Sequence, residues 1–150
     1  INYKDENKSR YKDKITVFNV FSHGILGDDG RGVISLGYNY LLYNKNLNLT
    51  AEDITNRIYA TAFDNPSCWF GSCNLGNNTT DSFAQTWVNK FGRRTWAFNG
   101  KSYYGEINFN QTLEEKVLRK LYGFTYGGST SYPIPGDGAT FHEFYNQMGA

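Results

Sequence analysis

Two side chains able to do covalent chemistry, an imidazole and a thiol, stand at the ends of strand-like runs. His23 closes Ile15-Thr-Val-Phe-Asn-Val-Phe-Ser-His23-Gly24, and Cys73 closes Ser67-Cys-Trp-Phe-Gly-Ser-Cys73-Asn-Leu-Gly76. A cysteine attacks carbonyl carbon as its thiolate, and a neighbouring imidazole or free backbone amides favour that form. Ligands of an open α/β sheet bind beyond the carboxyl ends of its strands, so two adjacent parallel strands would bring both tips into one crevice. The 50 residues that separate the pair leave room for a crossover helix.

The second cysteine has a different expected role. Five extended residues at ~3.3 Å each set the Cα atoms of Cys68 and Cys73 roughly 16 Å apart, beyond the ~7 Å limit for a disulfide. Their odd spacing also points them to opposite faces of a strand. Cys68 therefore reads as a small buried hydrophobe and Cys73 as the free thiol. His142, in Phe141-His-Glu-Phe144, is the other imidazole, and its aromatic neighbours suit packing better than catalysis.

Four segments in order, Phe21-Ser-His23-Gly24, Leu49-Thr-Ala-Glu-Asp-Ile54, Gly71-Ser-Cys73-Asn-Leu-Gly76 and Asp81-Ser-Phe-Ala-Gln85, carry a resemblance. Over roughly residues 15 to 100 the chain resembles the caspase-like (clan CD) cysteine peptidase domains at the C-termini of bacterial Rhs-type polymorphic toxins. Asn-Leu-Gly follows Cys73, where eukaryotic caspases have Arg-Gly. The resemblance implies an α/β fold, a three-layer α/β/α sandwich around a short mixed sheet, with an N-terminal region shorter than that of full-length relatives. It implies that Cys73 is the nucleophile, that His23 protonates the leaving amine, and that the amides of Gly24 and Cys73 form the oxyanion hole. It further implies a secreted or delivered effector acting in the cytoplasm of a target cell in competition between bacteria. There it would cleave a protein substrate, and a cognate immunity protein would protect the producer. A non-catalytic interaction domain of the same fold, or a protease that processes only its own carrier chain, are the alternatives. Asp28, Asp29 and Asp81 are weaker candidates, able to select a basic substrate side chain.

The elements that must position these residues follow from pattern. Val33 to Leu42 reads as a strand or hairpin arm, joined to the histidine run by the loop Gly27 to Gly32. Thr50 with Asp53 makes a capping box, and Ile54, Ile58 and Ala62 share a helical face, which predicts the crossover helix. A second helix, capped by Thr80 or Asp81, carries Phe83, Ala84, Trp87, Val88 and Phe91 until Gly92 ends it. Arg94 to Phe98 is expected as a strand, with Asn99-Gly100 as a hairpin turn into Ser102 to Phe109. Thr112 with Glu115 opens a third helix ending near Gly123. Residues 125–138 read as a loop, and Phe141, Phe144 and Tyr145 pin the last segment to the domain.

A chain of 150 residues is expected to form one domain with its own core, with residues 1–14 as a polar linker and 125–150 as loop and tail. Because the chain opens on Ile1, it is expected to be a domain cut from a longer precursor. A formal charge of +1, from 15 basic and 14 acidic residues, gives no basic surface for nucleic acid or anionic lipid. No apolar run approaches the ~18 residues of a membrane span, so no membrane insertion is expected. Neither a cofactor fingerprint nor Cys/His metal spacing occurs, so no cofactor or metal is expected. The 12 Tyr, 11 Phe and 3 Trp could suit a glycan-binding surface, but most fall at core or strand positions. The Asn-x-Ser/Thr triplets at Asn7, Asn48, Asn77, Asn78 and Asn110 are expected to be incidental.

Overall fold

Alternation along the first strand decides which way its rings point. In β1 (Ile15–Val20), Phe18 and Val20 are half-buried while Val17 and Asn19 are exposed, as a half-buried strand requires. The computed structural model describes residues 12–36, 48–78, 80–105, 107, 117 and 132–147. After β1 come β2 (His23–Leu26), β3 (Gly32–Ser35), β4 (Asn48–Leu49), α1 (Ala51–Arg57), β5 (Phe63–Phe70), α2 (Phe83–Phe91), β6 (Thr95–Asn99), β7 (Ser102–Tyr103), β8 (Ile134–Pro135) and β9 (Thr140–Phe144).

The main sheet has the order β1-β5-β6-β9, the first three parallel and β9 antiparallel on the edge. The fold is therefore mixed α/β. β2, β3 and β4 form a small antiparallel sheet of their own, inserted between β1 and α1. This corrects the reading of Ile15 to Gly24 as one strand: β1 ends at Val20 and His23 opens β2. β5 likewise stops at Phe70, three residues before Cys73, so both residues lie beyond the ends of neighbouring parallel strands, Cys73 in a turn and His23 at the start of β2.

Phe18, Phe63, Phe70 and Cys68 meet Trp87, Phe91 and Ile54 in one cluster that includes both described helices. Phe18 stacks on Trp87 with ring centroids 4.9 Å apart, and Phe70 meets the same indole edge-on at 5.4 Å. Edge-to-face and offset ring pairs add to the area term of burial. On the other face of the sheet, Trp69, Trp96, Phe98 and Phe141 form a second aromatic group. The expected helix from Thr112 to Gly123 falls outside the described residues apart from Val117, so both fully described helices lie on one face.

The helix ends follow their sequence signals with one shift. Thr50 caps α1 in a complete capping box with Asp53, and Lys90 closes the other end by donating to the carbonyls of Ile54 and Thr55 at 2.6 and 2.8 Å. α1 is shorter than the pattern suggested, because Ile58 leaves helical backbone and Ala60–Ala62 form a 3-10 turn. The cap of α2 is Ser82, whose Oγ accepts from Gln85 N–H at 3.0 Å, rather than Thr80 or Asp81. Gly92 ends it in the left-handed region at φ 85°.

Among the described residues β6 and β7 do not pair as the hairpin expected at Asn99-Gly100. β6 pairs with β5 and β9, and β7 pairs with β8 instead. Gly100 is held by other partners, its N–H donating to Asn77 Oδ1 at 2.8 Å and its carbonyl accepting from Asn74 N–H at 2.7 Å. Within residues 125–138, expected as loop, β8 forms, while 125–131 lie outside the described residues. The same holds for residues 1–11 and 37–42 of the expected linker and second strand. In the final segment Phe144 is buried and Phe141 half-buried, but Tyr145 is exposed and its hydroxyl donates to Glu143 Oε2.

Candidate active site

Backbone register brings the two reactive residues together. Val17, Phe18, Asn19 and Val20 of β1 pair with Ser67, Cys68, Trp69 and Phe70 of β5. The register slips by two residues between Ile15↔Phe63 and Val17↔Ser67. At that slip Asn65 has φ 43° and Pro66 has no N–H to give a ladder. Beyond the slip every partner is 50 residues further on, and the offset persists after the strands end. Gly71 N–H donates to Val20 carbonyl at 2.8 Å. Ser22 N–H donates to Ser72 Oγ at 3.3 Å, and the two hydroxyls lie 3.0 Å apart. Asn74 Nδ2 donates to the Gly24 carbonyl at 3.5 Å. His23 and Cys73 therefore occupy facing positions between two tied pairs.

The contact at Gly24 is closer than a side chain would permit. A methyl carbon built there would overlap the Cys73 carbonyl oxygen and lie 2.7 Å from both the carbonyl carbon and the nitrogen of Cys73. Gly32, across the hairpin, is pressed in the same way on Asn74 and Leu75, with 2.5 Å to the Asn74 carbonyl carbon. Two glycines thus seat the β2–β3 hairpin on the cysteine turn.

Within the β2–β3 ladder the Gly24 amide is unpaired. Gly27 N–H donates to Arg31 O and Gly30 N–H to Gly27 O, with Gly30 at φ 76°, a three-residue loop. Gly27 and Arg31 are then a hydrogen-bonded pair, and alternation along the ladder makes Gly24↔Ile34 a non-bonded one. Its N–H points out of the small sheet.

His23 is exposed, and among the described residues no hydrogen bond joins its ring to Cys73. The half-buried sulfur is held by a residue that sequence reasoning missed. Ser102 N–H donates to Cys73 Sγ at 3.3 Å, and Ser102 Oγ lies 3.3 Å from the same sulfur. Ser102 arrives there because the turn after β6 is bound to the turn after β5 through Gly100, Asn74 and Asn77. Tyr104 follows, its hydroxyl donating to the Gly71 carbonyl at 2.8 Å. Burial, then the nearby Cys73 sulfur, push its phenol up. No local signal marks Ser102 or Tyr104.

Phe21, Ser22, His23, Ser35, Leu36, Cys73, Ser102 and Tyr104 line a cavity of about 570 Å³, within the ~300–1,000 Å³ range of small-ligand clefts. His142 is exposed, pairs across from Ala97, lies 2.7 Å from Thr140 Oγ1 and lines a separate cavity of about 240 Å³. The three acidic candidates are also elsewhere. Asp29 accepts from the Arg31 backbone N–H at 3.0 Å and from its guanidinium at 2.7 Å, and these bonds hold its carboxyl below the ordinary range. Asp81 Oδ2 lies 3.5 Å from the same guanidinium, and Asp28 lines a third cavity beside Asp29 and Arg31. They do not line the cavity at Cys73.

No protein-family model, curated protein or solved structure matches the chain. No helix among the described residues is long and apolar enough to cross a membrane. No group of three or more metal-ligating side chains occurs among them.

Cys68 provides an internal control for Cys73. Both are free thiols, but Cys68 is buried on the helix-facing side of β5, accepts a hydrogen bond from Trp87 Nε1 at 2.7 Å, and burial pushes it up to about 12. Iodoacetamide at neutral pH is therefore expected to label Cys73 in the folded protein and Cys68 only after denaturation, read by mass spectrometry of tryptic peptides. Equal labelling of the two would contradict this arrangement. A raised folded value also means that the unfolded thiol ionises first. The contribution of Cys68 to stability is thus complete below the unfolded value of ~8.5 and is lost as pH rises toward the folded one. Melting temperature should fall less steeply over that alkaline range in Cys68→Ala than in the parent.

Proposed function

We propose that this chain is a cysteine endopeptidase domain of caspase-like type, serving as the toxic effector part of a bacterial polymorphic toxin. The supporting observation is the 50-residue register, which faces His23 with Cys73 above the ends of two adjacent parallel strands. In the proposed cycle Cys73 Sγ, as thiolate, attacks the scissile carbonyl and forms a carbon–sulfur bond. The Gly24 amide, which the hairpin leaves unpaired, and the Cys73 amide are the donors assigned to the oxygen that gains charge. One such donor is worth about 2.7–4 kcal/mol in comparable sites. The carbon–nitrogen bond then breaks, and the departing amine takes a proton from His23. Water attacks the thioester, gives a proton back to His23, and releases the acid and the thiolate.

Expression in a bacterial host that lacks the cognate immunity gene is expected to arrest growth and to create new protein N-termini, detectable by terminal proteomics. Growth at the control rate with no new N-termini would remove the toxin reading. A second reading, a non-catalytic interaction domain, is favoured by one observation: the Cys73 sulfur is bonded to Ser102 and not to His23. In that case the purified domain cleaves no peptide although it folds and Cys73 alkylates.

A further inference from the structure

The walls of the cavity at Cys73 bear on which side chain can lie beside the bond attacked there. Apart from His23 and Cys73 themselves, its described lining is Phe21, Leu36 and Tyr104 with the hydroxyls of Ser22, Ser35 and Ser102. Phe21 and Leu36 are 58 and 63 % exposed, an uncommon exposure for large apolar side chains that share one concave surface. Among the described residues no Asp, Glu, Lys or Arg lines it. Asp29 and Asp81, two of the acids that look available in the sequence, are both paired to Arg31. Beyond the reacting pair His23 and Cys73, a lysine, arginine or aspartate side chain entering here meets no opposite charge in the described lining, and losing water without one is unfavourable. An aromatic or branched aliphatic side chain would cover Phe21 and Leu36 and gain from doing so.

We infer that the cavity selects a substrate residue with an uncharged aromatic or aliphatic side chain, and that Phe21, Leu36 and Tyr104 determine that specificity. This rests on the peptidase reading above, and it replaces the expectation that Asp28, Asp29 and Asp81 select a basic residue. The volume of about 570 Å³ exceeds that of one ring, so the cleft has space for the peptide flanking it.

The test uses short peptidyl chloromethyl ketones that differ only in their last residue: Phe, Leu, Lys or Asp. Each alkylates Cys73 as the thiolate displaces chloride, forming a carbon–sulfur bond. The rate, followed by intact-mass spectrometry, is divided by that of iodoacetamide on the same protein. The Phe and Leu reagents are expected to react roughly tenfold or more faster than the Lys and Asp reagents. Leu36→Asp should slow the Phe reagent and quicken the Lys reagent. Equal rates, a faster Lys or Asp reagent, or an unchanged order in Leu36→Asp would overturn the inference. A failed peptidase reading has a different signature, no turnover of any peptide, while the order of alkylation rates stays readable because it needs only a bound reagent and the thiol.

Discussion

Cys73→Ala is expected to leave no measurable peptide turnover and no growth arrest, while His23→Ala lowers turnover by about 10²–10⁴-fold, the usual contribution of a positioned acid or base. The double variant should be no worse than Cys73→Ala, because in the proposed cycle nucleophile and acid act on one bond and their losses do not add. Both variants should fold, since Cys73 is half-buried and His23 exposed, and their circular dichroism melts should stay near that of the parent. His142→Ala, at a separate cavity on β9, should retain turnover. Full activity in Cys73→Ala would end the peptidase reading. Loss in His142→Ala with retention in His23→Ala would mean that the imidazole partner was misassigned.

The sequence carried the parts of this site that depend on strand ends and helix caps. Two reactive residues after strand-like runs, with the Thr50–Asp53 capping box between them, led to parallel strands joined through a helix, and β1 and β5 are parallel neighbours. The exact facing of positions 23 and 73 was not legible, because it depends on the two-residue slip at Asn65 and Pro66. Nor was Ser102. Its approach to the sulfur requires the Asn99-Gly100 turn to give up its local hairpin preference for bonds to Asn74 and Asn77, which no local pattern reports. Arg31 works in the opposite sense: of the acids that look available for substrate in the sequence, Asp29 is paired to this cation two residues along and Asp81 to the same cation across the fold.

The second large effect is on stability, and it changes how Gly24 can be tested. Placing valine at Gly24 is aimed at the proposed oxyanion hole, but any Cβ at this position meets the backbone of Cys73, which cannot rotate away as a flexible side chain would. Either the hairpin lifts or the cysteine turn shifts. Overpacking in close-packed regions costs about 1–3 kcal/mol, occasionally more, and a backbone partner sets Gly24→Ala at the upper end. At about 2–4 °C per kcal/mol for a chain of this size, the melting temperature should fall by about 6–12 °C. Gly32→Ala, pressed on Asn74 and Leu75, should behave alike. Gly30→Ala supplies the contrast, since Gly30 has φ 76° but nothing within 4 Å of the added carbon. Its cost is only the left-handed backbone, about 1–2 kcal/mol. Thermal melts of the three variants decide the matter. Should Gly24→Ala melt within 2 °C of the parent while Gly30→Ala falls further, the close seating of the hairpin on the Cys73 turn is wrong, and with it the facing of His23 and Cys73 on which the proposed chemistry depends.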